Sequence, residues 1–151
     1  MSGLVERINA DLKTAMLARD AFTTETLRGL KAAILNEEVS KGARETGLDE
    51  AAVEQLIARE AKKRDEAANL FEQGGNQASA DKERAEKVLL SVYLPEQLSE
   101  ADVQALVDEA IAELKPEGMK DMGRVIGAVK AKAGNTADGA LVAKLVKDSI
   151  Q

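Results

Sequence analysis

The chain has 151 residues, of which 44% are apolar and only 2% aromatic, and its formal net charge is −6. It contains neither histidine nor cysteine, which excludes disulfides, a Ser-His-Asp triad and the common zinc-binding sets. No nucleotide-binding glycine motif occurs either, so we expect no catalytic, cofactor-binding or metal site. No apolar run approaches the ~20 residues that span a bilayer. We therefore expect a cytoplasmic protein that does not contact membranes.

Apolar spacing predicts two helices before residue 40. The first covers about residues 4–18 and turns four small or aliphatic side chains inward, Leu4, Ile8, Leu12 and Ala15. The second is predicted to start at a cap supplied by Thr23 or Thr24. Its expected inward face consists of Leu27, Leu30, Ile34 and Leu35.

Two further helices are predicted on either side of Gly74-Gly75. Asp49 caps a long helix that runs to about residue 73, where the glycines end it. Its apolar stripe is expected to comprise Val53, Leu56, Ile57, Ala67, Leu70 and Phe71. The fourth helix covers about residues 79–93 and is expected to bury Ala85, Val88, Leu89 and Val92.

The segment from Tyr93 to Ser99 separates two helical parts of the chain. Pro95 has no backbone N–H and disfavours a helical conformation at Leu94, so the fourth helix cannot continue through it. Ser99 can cap a new helix, with Asp102 at its third position. The sequence therefore predicts subdomains at residues 1–94 and 95–151, joined at Leu94-Pro95.

Three shorter helices are predicted after Pro95, at about residues 101–114, 120–133 and, with Asp138 as its cap, up to residue 150. The predicted fold class is thus all-α, with about seven helices in a four-helix N-terminal part and a three-helix tail. Because about 55 residues form only a marginal core, we expect the tail to lean on the first part. Leu94 and Leu98 would pack across an ordered linker.

Charge is unevenly distributed in the tail. Residues 96–117 carry seven acidic side chains and one lysine, whereas residues 118–151 carry six cations and three acidic residues. The six cations are the candidate nucleic-acid-binding residues Lys120, Arg124, Lys130, Lys132, Lys144 and Lys147. They can form an ordinary solvated surface, or a basic patch that contacts phosphates.

Several segments in order along the chain resemble the YqeY-like (GatB/YqeY) family. They are Asp11-Leu12-Lys13-Thr14-Ala15-Met16, Thr26-Leu27-Arg28-Gly29-Leu30-Lys31, Tyr93-Leu94-Pro95-Glu96-Gln97-Leu98-Ser99, and Lys120-Asp121-Met122-Gly123-Arg124-Val125. The family is similar to the C-terminal region of the GatB subunit of the tRNA-dependent amidotransferase. In that enzyme a small helical tail reaches the tRNA, and catalysis belongs to other parts.

The resemblance implies a noncatalytic accessory protein that binds tRNA or a tRNA-modifying or aminoacylation enzyme. The alternative is a protein-interaction module without nucleic-acid contact, with an exposed apolar groove around Tyr93 and Leu98. A carbon–nitrogen ligase activity with glutamine as amido-N-donor is a distant alternative, as a description transferred from the longer relative. We expect no enzyme activity of this chain alone. Two arginines typical of the family are missing, near Gly74-Gly75 and near Gly134-Asn135, which weakens a phosphate-binding role.

Overall fold

The computed structural model describes residues 2–151, and they form seven α-helices. The helices are α1 (Gly3–Leu17), α2 (Ala21–Ser40), α3 (Glu50–Gln73), α4 (Gln77–Ser91), α5 (Glu100–Leu114), α6 (Met122–Ala133) and α7 (Gly139–Ile150). Short 3₁₀ turns at Met119–Asp121 and Gly134–Thr136 precede and follow α6. The predicted all-α class and the number of helices are confirmed.

The chain divides after Leu94 into two compact units. The first unit contains α1 to α4, and its core combines aliphatic side chains of α1, α2 and α3 with the end of α4. The second contains α5 to α7 and has a core of its own. Both cores are almost free of aromatic side chains, as expected from the composition, since Tyr93 is the one aromatic residue among the buried members of either cluster.

The start of α2 differs from the prediction. Its cap is Asp20, whose Oδ1 accepts a hydrogen bond from the Thr23 backbone N–H at 3.1 Å. The Thr23 hydroxyl also donates to Asp20 Oδ2 at 2.6 Å, and Thr24 is buried inside the helix. The caps predicted at Thr23 and Thr24 are therefore wrong, because a carboxylate in the preceding turn supplies the oxygen first.

The inward face predicted for α2 is correct except at its last position. Leu27, Leu30 and Ile34 are buried, but Leu35 is 43% exposed. Leu35 lies one residue beyond Ile34, which rotates it about 100° around the helix, away from the core. On α1, by contrast, every residue of the predicted stripe is buried.

α3 and α4 form a helical hairpin whose two helices meet mainly through small and charged side chains. Ala68 and Ala80 are completely buried, and three ion pairs join the helices on either side of them: Arg84 to Glu72, Lys87 to Asp65 and Arg64 to Glu86. Because alanines allow close approach and the charged chains fill the rest of the contact, larger apolar residues are not needed there.

The apolar faces predicted for this hairpin are accordingly wrong in part. Val53, Leu56 and Ile57 of α3 are buried. The remaining residues are not: Leu70 is 69%, Phe71 38%, Val88 69% and Val92 55% exposed, Ala85 is also exposed, and Ala67 and Leu89 are half-buried. In their place α4 buries Ala80 and Leu90.

Tyr93 closes the core of the first unit. Its side chain is 5% exposed, and its hydroxyl donates to Asp11 Oδ2 at 2.6 Å. The Arg7 guanidinium carbon lies 4.9 Å from the ring centroid, within the range of a cation–π contact. Because Tyr93 is buried, it cannot line an exposed apolar groove, so that expectation is wrong for this residue.

The second unit is a three-helix arrangement around valines and leucines of α5, α6 and α7. Ser99 caps α5 through a 3.1 Å hydrogen bond from the Asp102 backbone N–H, and Asp138 caps α7, as predicted. Leu98 is half-buried against this core, and its backbone N–H donates to the Thr136 carbonyl at 2.7 Å. The start of the unit is therefore attached to the α6–α7 connection.

Candidate nucleic-acid interface in the second unit

The six candidate cations of the tail fall into two groups according to their ion pairs. Lys120 Nζ lies 2.8 Å from a carboxylate oxygen of Glu117. Lys132 Nζ lies 2.7 Å from Glu109 and 3.7 Å from Glu113. Hydrogen bonding to Glu109 raises the pKa of Lys132. Lys132 thus connects α6 to α5, and Lys120 pairs within the segment between these helices, so each has an acidic partner within the unit.

Arg124 is also engaged within the unit. Its guanidinium donates to the Leu114 carbonyl at 3.2 Å and lies 3.7 Å from the Asp121 carboxylate. Leu114 is the last residue of α5, and Lys115 after it adopts a left-handed conformation with φ +47°. Arg124 thus satisfies a carbonyl at a helix end that has no partner within the helix. It helps to hold α6 against α5.

Lys130, Lys144 and Lys147 have no carboxylate within 4 Å in the part of the chain that the structure describes. Lys130 Nζ lies beside the start of α7, 3.4 Å from the position that a Cβ on Gly139 would occupy. Lys144 and Lys147 are exposed on the side of α7 away from its buried residues. At 1.5 Å per residue they lie about 7 and 12 Å beyond Gly139 along the helix.

Lys130 lies beside the positively polarised start of α7. The N-terminus of a helix carries a partial positive charge from its unpaired N–H groups, and Asp138, the cap of α7, is the nearest carboxylate in sequence. A second positive group beside this end favours an anion there. The three lysines with no carboxylate partner therefore form the strongest candidate for a phosphate contact; we call them the α6–α7 lysines.

The polar depression between α2 and α3 in the first unit is less suited to a ligand. It has a volume of about 350 Å³ and is lined in part by Glu37, Arg59, Glu60 and Lys63. These groups pair with one another or with neighbours: Arg59 with Glu37 at 3.2 Å, and Lys63 with Glu60 at 3.2 Å. Their charges are used within the fold.

Glu60 joins this depression to the α3–α4 hairpin. Its carboxylate accepts a hydrogen bond from Arg64 at 2.6 Å, and Arg64 Nε lies 3.5 Å from Glu86 of α4. Burial opposes the charged form of Glu60, but the hydrogen bonds from Arg64 and Lys63 outweigh it and lower its pKa. These residues form a structural charge cluster. The cluster is half-buried, whereas a typical ion pair on a helix surface is fully exposed.

Two kinds of feature are absent from the described residues 2–151. No group of three or more acidic side chains is placed to hold a metal ion. None of the helices that the structure describes is long and apolar enough to cross a bilayer. The candidate binding features of the two units are therefore the charged side chains on their helix surfaces.

The chain belongs to the YqeY-like family. The family model described as "Yqey-like protein" matches residues 5–150. This agrees with the resemblance carried by the segments around Leu12, Leu27, Pro95 and Arg124.

Three relatives extend this result. The protein "Altered inheritance of mitochondria protein 41, mitochondrial" of Pyrenophora tritici-repentis is 28% identical over 150 residues, 97% of this chain and 81% of the relative. A protein of the same name from Lachancea thermotolerans is 30% identical over 113 residues, 74% of this chain and 59% of the relative. A subunit of the glutamyl-tRNA(Gln) amidotransferase of Thermococcus gammatolerans is 40% identical over 58 residues, which are 36% of this chain and 9% of that longer protein.

Proposed function

We propose that this chain is a noncatalytic accessory protein whose second unit contacts tRNA phosphates through the α6–α7 lysines. The observation that carries the proposal is the division of the cations: three of the six are engaged within the unit, and Lys130, Lys144 and Lys147 are left without a carboxylate. The match to a segment of a glutamyl-tRNA(Gln) amidotransferase supports tRNA as the partner. The amidotransferase reaction itself is not part of the proposal.

The ion pairs reduce the six candidate cations expected from the sequence to three candidates for phosphate contact. Lys120 and Lys132 would have to leave Glu117 and Glu109 before they could bind a phosphate. This reduces the net free energy that phosphate binding would gain. Arg124 would have to release the end of α5. We therefore assign phosphate contact to the α6–α7 lysines and a structural role to the other three cations.

A salt series of tRNA binding to the purified chain tests this proposal. Each phosphate contact releases counterions, so binding should weaken linearly in log K against log[salt]. The variant Lys130→Gln/Lys144→Gln/Lys147→Gln should bind more weakly, and its slope should be smaller by about 2 to 3, because about 0.7–0.9 is lost per contact. A control that removes two of the paired cations, Lys120→Gln/Lys132→Gln, should retain the slope. A wild type that shows no salt-dependent binding at low ionic strength would refute the proposal.

A protein-interaction module without nucleic-acid contact is the second candidate. It is favoured by the apolar side chains that the first unit exposes on α3 and α4, among them Leu70 and Val88, and by the net charge of −6. A specific complex that survives nuclease treatment, together with absence of tRNA binding, would favour this candidate.

The cytoplasmic location also stays a prediction, since the first two relatives carry the word mitochondrial in their names.

A further inference from the structure

A second basic surface lies on the first unit, where α1 and α2 meet. The Arg28 guanidinium of α2 lies 3.9 Å from the Met16 sulfur of α1. Lys13 precedes Met16 by one helical turn, and Lys31 follows Arg28 by one turn, so each lies on the same side of its helix as its neighbour. Leu35 continues the row on α2, four residues after Lys31. We call these five residues the α1–α2 surface.

This surface also exposes apolar groups beside its cations. Met16 is 49% and Leu35 is 43% exposed, and Lys13, Arg28 and Lys31 are all exposed as well. A single exposed apolar side chain is ordinary. In this row, however, the apolar side chains together expose hydrophobic area, and the like-charged side chains repel one another. An occupant that is both apolar and negative would relieve both effects.

The acidic residues of α1 and α2 do not neutralise the row. Asp11 accepts a hydrogen bond from the Tyr93 hydroxyl, Asp20 caps α2, and Glu37 pairs with Lys41 and Arg59. Glu6, Glu25 and Glu38 also lie on these two helices, yet no carboxylate within the described residues comes within 4 Å of the three cations. The positive charge of the surface is therefore available to a partner.

We propose that the α1–α2 surface docks an acidic amphipathic helix of a partner protein. Such a helix presents leucine-like side chains flanked by carboxylates, which matches apolar groups flanked by Lys and Arg. Methionine suits this role because its flexible, polarisable side chain adapts to different apolar partners. RNA fits less well, since no aromatic side chain belongs to the surface and bases would find nothing to stack on. The proposal is independent of tRNA binding by the second unit.

Fluorescence anisotropy with the full chain tests this inference. The probe is a labelled synthetic helical peptide with one leucine face flanked by glutamates, and the comparison peptide has glutamine at every glutamate position. The wild type should bind the glutamate peptide, with an affinity that falls as salt rises. The variant Arg28→Glu/Lys31→Glu should bind it about tenfold more weakly, as expected for two surface charge pairs lost.

A charge-matched control separates the surface from net charge. Lys62→Glu/Lys82→Glu changes the net charge equally at two exposed lysines of α3 and α4, and it should bind as the wild type does. Met16→Ser/Leu35→Ser should weaken binding while leaving the salt dependence unchanged, since it removes apolar contact only.

Three results with the peptide probes would overturn the inference. They are no binding of the glutamate peptide by the wild type at low salt, equal binding of the glutamine peptide, and equal losses in Arg28→Glu/Lys31→Glu and in the control. A single-stranded RNA probe decides the nucleic-acid alternative: if RNA binding, and not peptide binding, is lost in Arg28→Glu/Lys31→Glu, the surface is a nucleic-acid site and the proposed occupant is wrong.

Discussion

The hydrogen bond between Tyr93 and Asp11 is the contact of the first unit whose energy can be measured most directly. It joins Tyr93, two residues after the end of α4, to Asp11 of α1, 82 positions away in sequence, with an O···O distance of 2.6 Å. Tyr93→Phe removes the hydroxyl and keeps the buried ring and its contact with Arg7. The variant therefore isolates the hydrogen bond from the packing.

The expected loss follows from the charge and the exposure of the acceptor. Hydrogen bonds to charged groups contribute about 1.5–3 kcal/mol. Asp11 is only half-buried, so water can partly replace the hydroxyl, and we expect a value near the lower end, about 1.5 kcal/mol. A double-mutant cycle with Asp11→Ala should show a coupling of about 1 kcal/mol.

Urea unfolding of the four proteins, followed by circular dichroism, measures this coupling. A value below about 0.5 kcal/mol, the ordinary error of additivity, would refute the argument and assign Tyr93 a packing role only. Equal m-values across the set are needed for the comparison, because a changed m-value means that the unfolded or native state has changed.

Alkaline pH provides a second test of the same contact. Burial raises the pKa of Tyr93, and the hydrogen bond to Asp11 raises it further. The folded pKa thus lies above that of the unfolded chain, so the stabilisation is complete below about pH 10 and is lost as pH rises beyond it. The advantage of the wild type over Tyr93→Phe should shrink above about pH 10. A difference that stays constant up to about pH 11 would contradict the burial of an ionisable hydroxyl.

Two further predictions concern one charge cluster and one core. The folded pKa of Glu60 is lowered by Arg64 and Lys63 against the opposing effect of burial, so its contribution is present above its ordinary pKa of about 4.3 and is lost as pH falls through the lower folded value. Glu60→Gln should therefore be less stable at neutral pH and should lose less on acidification, and parallel pH profiles in urea unfolding would contradict this. Leu98→Ala should cost about 1–2 kcal/mol, less than a fully buried leucine, and should speed hydrogen exchange in α5 to α7 before it affects α1 to α4; unchanged protection of the second unit would contradict it.

The second unit was predictable from the sequence because its helices bury ordinary aliphatic faces. Val103 and Val107 of α5, Val125 and Val129 of α6, and Val142 of α7 all appear in the sequence at helical spacing, and all are completely buried. The caps at Ser99 and Asp138 mark the helix starts. Each helix turns one face to two neighbours, so the apolar pattern and the packing agree.

The α3–α4 hairpin was less predictable because its contact is not made by large apolar residues. Helical periodicity identifies Val88 and Val92 as a face, yet the structure turns them outward. It places against α3 instead Ala80 and Glu86, which pairs with Arg64 of α3. Alanine gives a weak signal in such a pattern, and an ion pair between helices gives none. The existence of both helices was predictable, but their rotation was not.

The ion pairs of the six candidate cations show the same limit of prediction from sequence. The pairing of Lys120 with Glu117 is a spacing of three residues and could be read from the sequence. The pairing of Lys132 with Glu109 spans 23 residues and needs the packing of α6 on α5. The sequence alone therefore indicates only the short-range pairs, whereas the fold also pairs Lys132 and so distinguishes two groups of cations.

A net negative charge is compatible with both proposed surfaces because carboxylates act only where the fold brings them close. Exposed charges separated by more than about 10 Å are largely screened at physiological salt. In the second unit, Glu109 and Glu113 of α5 pair with Lys132, and no carboxylate of α5 lies within 4 Å of Lys144 or Lys147. In the first, Tyr93 occupies the Asp11 carboxylate and the start of α2 occupies that of Asp20. The pairs a fold makes internally thus decide which cations a partner meets.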